Sequence, residues 1–180
     1  KKENFLMAQK ITFSTPKGTA VYPYITRADF EYNAEGIYKT KIKMPEADAA
    51  PLMKTITEAA NDAFGAKAKS ARMPFTKLED TKEVEFTTKS KFKPTVVDAT
   101  GKVIADHVVP PIYGGSTIKV AGTVYCYNAG GNIGVSLQLS DVQLVELSKG
   151  SDVKISFGAE EGGFVAANDN EAQEADGAAY

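Results

Sequence analysis

Residues 116–147, STIKVAGTVYCYNAGGNIGVSLQLSDVQLVEL, decide the fold. In the first half Ile118, Val120, Val124 and Cys126 fall on one side of an extended chain, with Lys119, Tyr125 and Tyr127 on the other. After the turn signal around Gly130 and Gly131, Val135, Leu137 and Leu139 alternate with Gly134, Ser136, Gln138 and Ser140, and QLVEL completes the sheet. Two long strands joined by a glycine-rich turn form a hairpin with one apolar face. Burying that face requires a sheet curled into a sandwich or a barrel.

Working outward, the same period recurs. In GIYKTKIKM, residues 36–44, Tyr38, Thr40, Ile42 and Met44 share a face and Lys39, Lys41 and Lys43 share the other. In VEFTTKSKFK, residues 84–93, Val84, Phe86 and Phe92 are set against Lys89, Lys91 and Lys93. One helix interrupts the strands. In EADAAPLMKTITEAANDAFG, Asp48 is expected to cap the N-terminus and Pro51 to fall within the first turn. Leu52, Ile56, Ala59, Ala60 and Ala63 recur at helical spacing before Gly65 ends it. Residues 66–80 read as a loop. The chain is mainly β with one packed helix.

The 180 residues, 43% of them apolar, suffice for one domain with a sizeable core. Charge divides it. Residues 1–157 carry 21 basic and 17 acidic groups, a body of +4, whereas residues 158–180 carry six acids and no base, a tail of -6. The tail holds only Phe164, Val165 and Tyr180 as sizeable apolar groups, so it is expected to be flexible. We therefore divide the chain into a domain, residues 1–157, and an acidic tail, residues 158–180.

Composition excludes several chemistries. A single Cys126 and a single His107 cannot form a disulfide or supply a four-ligand zinc site. Nor is there a spaced partner that would make His107 a general base. Gly114 and Gly115 read as a turn, because no phosphate-loop lysine and no helix follow them. No catalytic constellation, cofactor or metal is expected. The start lacks the apolar run of a signal peptide, no stretch is long enough to span a membrane, and the lack of an initiator Met implies residues before Lys1. A reducing cytoplasm is the expected compartment.

What remains is a binding surface. Lysines at alternate strand positions repeat about every 6.6 Å, which suits the phosphates of an extended backbone. Tyr125 and Tyr127 beside Lys119, with Tyr22, Tyr24, Tyr32 and Tyr113 assigned to flanking loops, interleave stacking rings with cations. The rival reading is a structural or decoration β-protein whose lysines merely face water and discourage edge pairing.

TPKGTAVYPYITRADFEYNAEGIYKTKIKMP, the helix after it, PPIYGGSTIKVAGTVYCYNAGGNIGVSLQLSDVQLVEL and FGAEEGGF together resemble the single-stranded DNA-binding proteins of tailed bacteriophages. The resemblance covers nearly the whole chain. It implies an OB-fold, a five-stranded antiparallel barrel with extra elements, acting in phage DNA replication, recombination and repair in the cytoplasm of the infected bacterial host. It also implies an acidic tail whose terminal aromatic contacts replication proteins such as polymerase and helicase-primase; a homodimer is compatible with it. The tail pattern maps onto Glu160, Glu161, Asp169, Glu171, Glu174, Asp176 and Tyr180, although relatives end in Phe. Strand parity, not the resemblance, assigns the DNA face to Lys39, Lys41, Lys43, Lys89, Lys91, Lys93, Lys119, Tyr125 and Tyr127.

Overall fold

A computed structural model describes residues 10–148. The chain order is β1 (Ile11–Ser14), β2 (Gly18–Asp29), β3 (Ile37–Pro45), α1 (Glu46–Phe64), a 3₁₀ turn (Gly65–Ser70), β4 (Phe75–Leu78), β5 (Glu83–Ser90), β6 (Thr95–Val97), a second 3₁₀ turn (Asp106–Val108), β7 (Thr117–Ala129) and β8 (Asn132–Glu146). Strands β2, β3, β5, β8 and β7 pair in that order, and β7 pairs again with β2, so five strands close into a ring. Four of the five pairings are antiparallel. The fifth, between β5 and β8, is parallel, because β6 and the connection after it carry the chain away before β7 and β8 return. Strand β1 extends the sheet on β7, β4 lies on β5 and β6 lies on β8.

The hairpin that decides the fold is β7 and β8. Its inner side changes parity: Leu137 and Leu139 are buried at odd positions, Val142 and Leu144 at even ones. The register explains this. Leu139 opposes Gly122 and Asp141 opposes Ala121, leaving Ser140 as an extra residue in a β-bulge that reverses the facing of Asp141 to Leu144. Gly122 is required there, since a β-carbon would collide with the Gln138 carbonyl oxygen.

Helix α1 packs Ala49, Leu52, Ile56, Ala59 and Ala60 onto the core formed by Ile42, Met44, Phe86, Ile118, Val120 and Leu137. Three helical expectations need correction. The helix begins at Glu46 with Pro45 at the cap position and no side-chain cap, so Asp48 lies inside the first turn. Pro51 is consequently in the second turn, where it removes the N–H that would bond the Ala47 carbonyl. Ala63 is exposed.

Residues 66–80 are also more ordered than a loop. The 3₁₀ turn buries Ala68, and β4 pairs with β5 so that Phe75 meets Phe86 edge-on at 6.0 Å between ring centroids. Short length and polar composition concealed that strand. Strand β5 ends at Ser90, and Phe92, expected in the core row, is 81% exposed. A turn in which the Phe92 N–H donates to Ser90 Oγ breaks the alternation before it reaches Phe92, Lys91 and Lys93. Among the described residues no helix is long and apolar enough to cross a membrane.

Candidate nucleic-acid interface

The outer faces of β3 and β5 carry the basic residues that parity placed there, but with acidic company. Lys39 opposes Lys89, Lys41 opposes Thr87 and Lys43 opposes Glu85. Lys41 Nζ stands 3.0 Å from Glu85 and Lys43 Nζ 3.6 Å from Glu83. Lys39 is ion-paired to Asp29, and its ammonium lies 5.4 Å from the centroid of the Tyr24 ring. The Lys39 ammonium and the Glu31 backbone N–H hold the Asp29 carboxyl below the usual aspartate range, and the same pairing raises Lys39. This row is therefore a ladder of partly exposed ion pairs. Lys93 pairs with Asp106 at 3.7 Å. Lys89, Lys91 and Lys119 make no ion pair among the described residues.

The aromatic residues are distributed differently from the sequence expectation. Tyr22 and Tyr24 lie within β2 itself, not in a flanking loop. Val21 opposes Lys41 and Tyr24 opposes Lys39, so Tyr22 and Pro23 occupy a bulge against the single residue Thr40. Tyr22 adopts φ 47° and is 76% exposed. Tyr32 and Tyr113 do lie in connections, as expected, and both are exposed. Tyr125, opposite Ser136, is 51% exposed on the outer side of the hairpin. Tyr127 is half-buried, with its ring over Gly134, where a β-carbon would strike the phenol oxygen.

Register assembles these residues into rows. Tyr24, Lys39, Lys89 and Gln138 are successive partners across four strands, a row of about 14 Å at the usual strand spacing. A second row joins Tyr127 through Gly134 to Arg72, which forms an isolated parallel bridge with β8. Exposed Phe30 and Tyr32 sit in the connection from β2 to β3, and exposed Phe92 follows β5. Sequence reasoning missed Phe30, Phe92 and Arg72. Phe30 was detectable, since the Asp29 and Asn33 side chains that bracket it accept backbone N–H groups in turns.

Other candidate chemistries find little support in their surroundings. The Cys126 thiol points to the Ala59 carbonyl at 3.6 Å, and burial pushes it above its usual range, away from nucleophilic thiolate. His107 is exposed in its 3₁₀ turn. The Gly114 and Gly115 turn closes through the Ser116 N–H donating to the Tyr113 carbonyl at 3.2 Å. No group of three or more His, Cys, Asp or Glu able to hold a metal occurs among the described residues. The tail residues Glu160, Glu161, Asp169, Glu171, Glu174, Asp176 and Tyr180 lie outside the described residues.

No family model and no curated protein sequence matches the chain. Solved structures do. Gp2.5, a single-stranded DNA-binding protein of bacteriophage T7, superposes with a TM-score of 0.66 at 28% identity, over 88% of this chain and 100% of that one. The single-stranded DNA-binding protein of bacteriophage Enc34, in complex with single-stranded DNA, superposes with a TM-score of 0.62 at 13% identity, over 77% of this chain and 88% of that one. The second likeness is one of fold alone. Together they place the ring of strands among OB-folds, and the chain resembles the bacteriophage single-stranded DNA-binding proteins.

Proposed function

We propose that this protein binds single-stranded DNA without catalysing a reaction on it, and that it does so without strong dependence on sequence. The observation that carries the reading is the row Tyr24, Lys39, Lys89 and Gln138. It crosses β3 and β5, the second and third strands of the ring counted from β2, and OB-folds bind oligonucleotides on that face and at its two flanking connections. Phe30 and Tyr32 supply rings in the β2 to β3 connection, and Tyr125 and Tyr127 supply them on β7 ahead of its turn into β8. Phosphates are neutralised by Lys89, Lys91 and Lys119, with Lys39, Lys41, Lys43 and Lys93 contributing as their carboxylate partners yield. Bases stack on Tyr125 and its neighbours.

In the same proposal residues 158–180 compete with DNA for the basic face and, through their acids and Tyr180, recruit replication proteins. That assigns the protein to phage DNA replication, recombination and repair in the host cytoplasm. The boundary near residue 157 is part of the proposal.

The ion pairs Lys41 to Glu85 and Lys43 to Glu83 favour a second reading, a structural β-protein with a solvated ion-pair ladder. A fluorescence titration with oligothymidine separates the two. Saturable binding that weakens with salt supports the first; no binding at low salt leaves the second.

A further inference from the structure

We propose that Glu83 and Glu85 limit the affinity of the DNA face by holding Lys43 and Lys41 in place of phosphate, an inference that rests on the single-stranded DNA reading and concerns its regulation. The outer face of β3 carries Lys39, Lys41 and Lys43 at alternate positions, about 6.6 Å apart. Each has its own carboxylate from a neighbouring strand. Asp29 of β2 pairs with Lys39, while Glu85 of β5 stands 3.0 Å from Lys41 and Glu83 of β5 stands 3.6 Å from Lys43. The outer row of β5 reverses sign along its length, from Glu83 and Glu85 through Thr87 to Lys89. Lys89 makes no ion pair among the described residues.

The pairing is systematic. Lys41 lies directly opposite Thr87 and Lys43 opposite Glu85, so each of these lysines reaches diagonally to the β5 carboxylate two positions away. The same diagonal from Lys39 ends at Thr87, and there the carboxylate comes from β2 instead. Partly exposed pairs of this kind add little to stability. Their larger effect falls on an anion arriving from solvent. The Lys41 side chain is 43% exposed and the Glu85 side chain 18%, so the ammonium is within reach of a phosphate while the carboxylate lies lower beside it. A phosphate at Lys41 or Lys43 must share the cation with that carboxylate or displace it, and either lowers its attraction. The strand is then held firmly towards Lys89 and weakly over Lys41 and Lys43.

The test uses the full chain in anisotropy titrations with oligothymidine over a salt series. Glu85→Gln should tighten binding about threefold at about 50 mM salt and hardly at all at about 200 mM, because one further phosphate neutralised steepens the log-log slope by about 0.7. Glu83→Gln should act in the same way through Lys43, and it is the second variant if Glu85→Gln lowers the melting temperature. Lys41→Met should cancel the gain from Glu85→Gln. Glu58→Gln is the control: Glu58 stands 3.9 Å from Lys54 on α1, so the change removes the same charge and frees a lysine away from the face. It should leave binding nearly unchanged. Unaltered affinity and slope in both face variants, an equal gain in Glu58→Gln, or a gain that survives Lys41→Met would overturn the assignment while leaving single-stranded DNA binding intact. Failure of the wild type to bind at any salt concentration would overturn the functional reading itself, and the assignment with it.

Discussion

Lys39 and Lys89 face each other across β3 and β5, yet Lys39 is ion-paired to Asp29 while Lys89 makes no ion pair among the described residues. Like charges directly opposite on a sheet repel. The Asp29 carboxylate relieves that repulsion from one side and leaves Lys89 as the cation open to an incoming phosphate. The division extends along the sheet, because Glu83 and Glu85 neutralise the next two lysines of β3 whereas Lys91 and Lys119 have no such partner among the described residues.

A first expectation separates the two classes of lysine. Lys89→Ala or Lys91→Ala should weaken oligothymidine binding and flatten the log-log salt dependence by about 0.7 for each phosphate that is no longer neutralised. Lys43→Ala removes a charge already balanced by Glu83 and should change the slope less. Equal slopes for all three variants in salt-series titrations would argue against the division.

The two tyrosines of β7 should behave differently from each other. Tyr125 is exposed, so Tyr125→Ala should cost about 1–3 kcal/mol of DNA affinity with little change in melting temperature. Tyr127 covers Gly134 and is half-buried, so Tyr127→Ala should lower the melting temperature as well. Thermal melts run beside DNA titrations distinguish the cases.

Most of the barrel was legible in the sequence because its strands are long and one-sided: Thr40, Ile42 and Met44 are buried as alternation requires, as are Val135, Leu137 and Leu139. Alternation fails where registry, not composition, sets the facing. The Ser140 bulge, the Tyr22 bulge and the end of β5 before Phe92 all depend on what the partner strand does. The ion-pair ladder was hidden for the same reason. Glu83 and Glu85 lie about 40 positions along the chain from Lys41 and Lys43, and nothing local in β3 marks their approach.

Acid should probe the Asp29 clamp. Its carboxyl is depressed in the folded chain by the Lys39 ammonium and the Glu31 N–H, so its contribution is present above the unfolded value of about 3.9 and is lost as pH falls through the folded one. Lys39 is raised, so its share is full below the ordinary lysine value and is lost as pH climbs through the folded one. Melting temperatures of wild type and Asp29→Asn should converge at both extremes and differ most between them. Parallel curves across the whole range would contradict the coupling.

Removing residues 158–180 takes away six acidic residues tethered to a body of 21 basic and 17 acidic groups. If they act as a competing anion at high effective concentration, deletion should tighten oligothymidine binding, most at low salt where the screening length is longest. Tyr180→Ala should leave that competition nearly intact and impair capture of a replication partner. Unchanged affinity of the truncated chain throughout a salt series would remove the autoinhibitory role.

Photocrosslinking of a single-stranded oligodeoxynucleotide carrying halogenated deoxyuridine, with the attached peptides identified by mass spectrometry, tests the central claim most directly. The account predicts adducts on Tyr22, Tyr24, Phe30, Tyr32, Phe92 and Tyr125, the exposed rings on and beside the Tyr24 to Gln138 row, with none on α1. Adducts confined to α1 would contradict it.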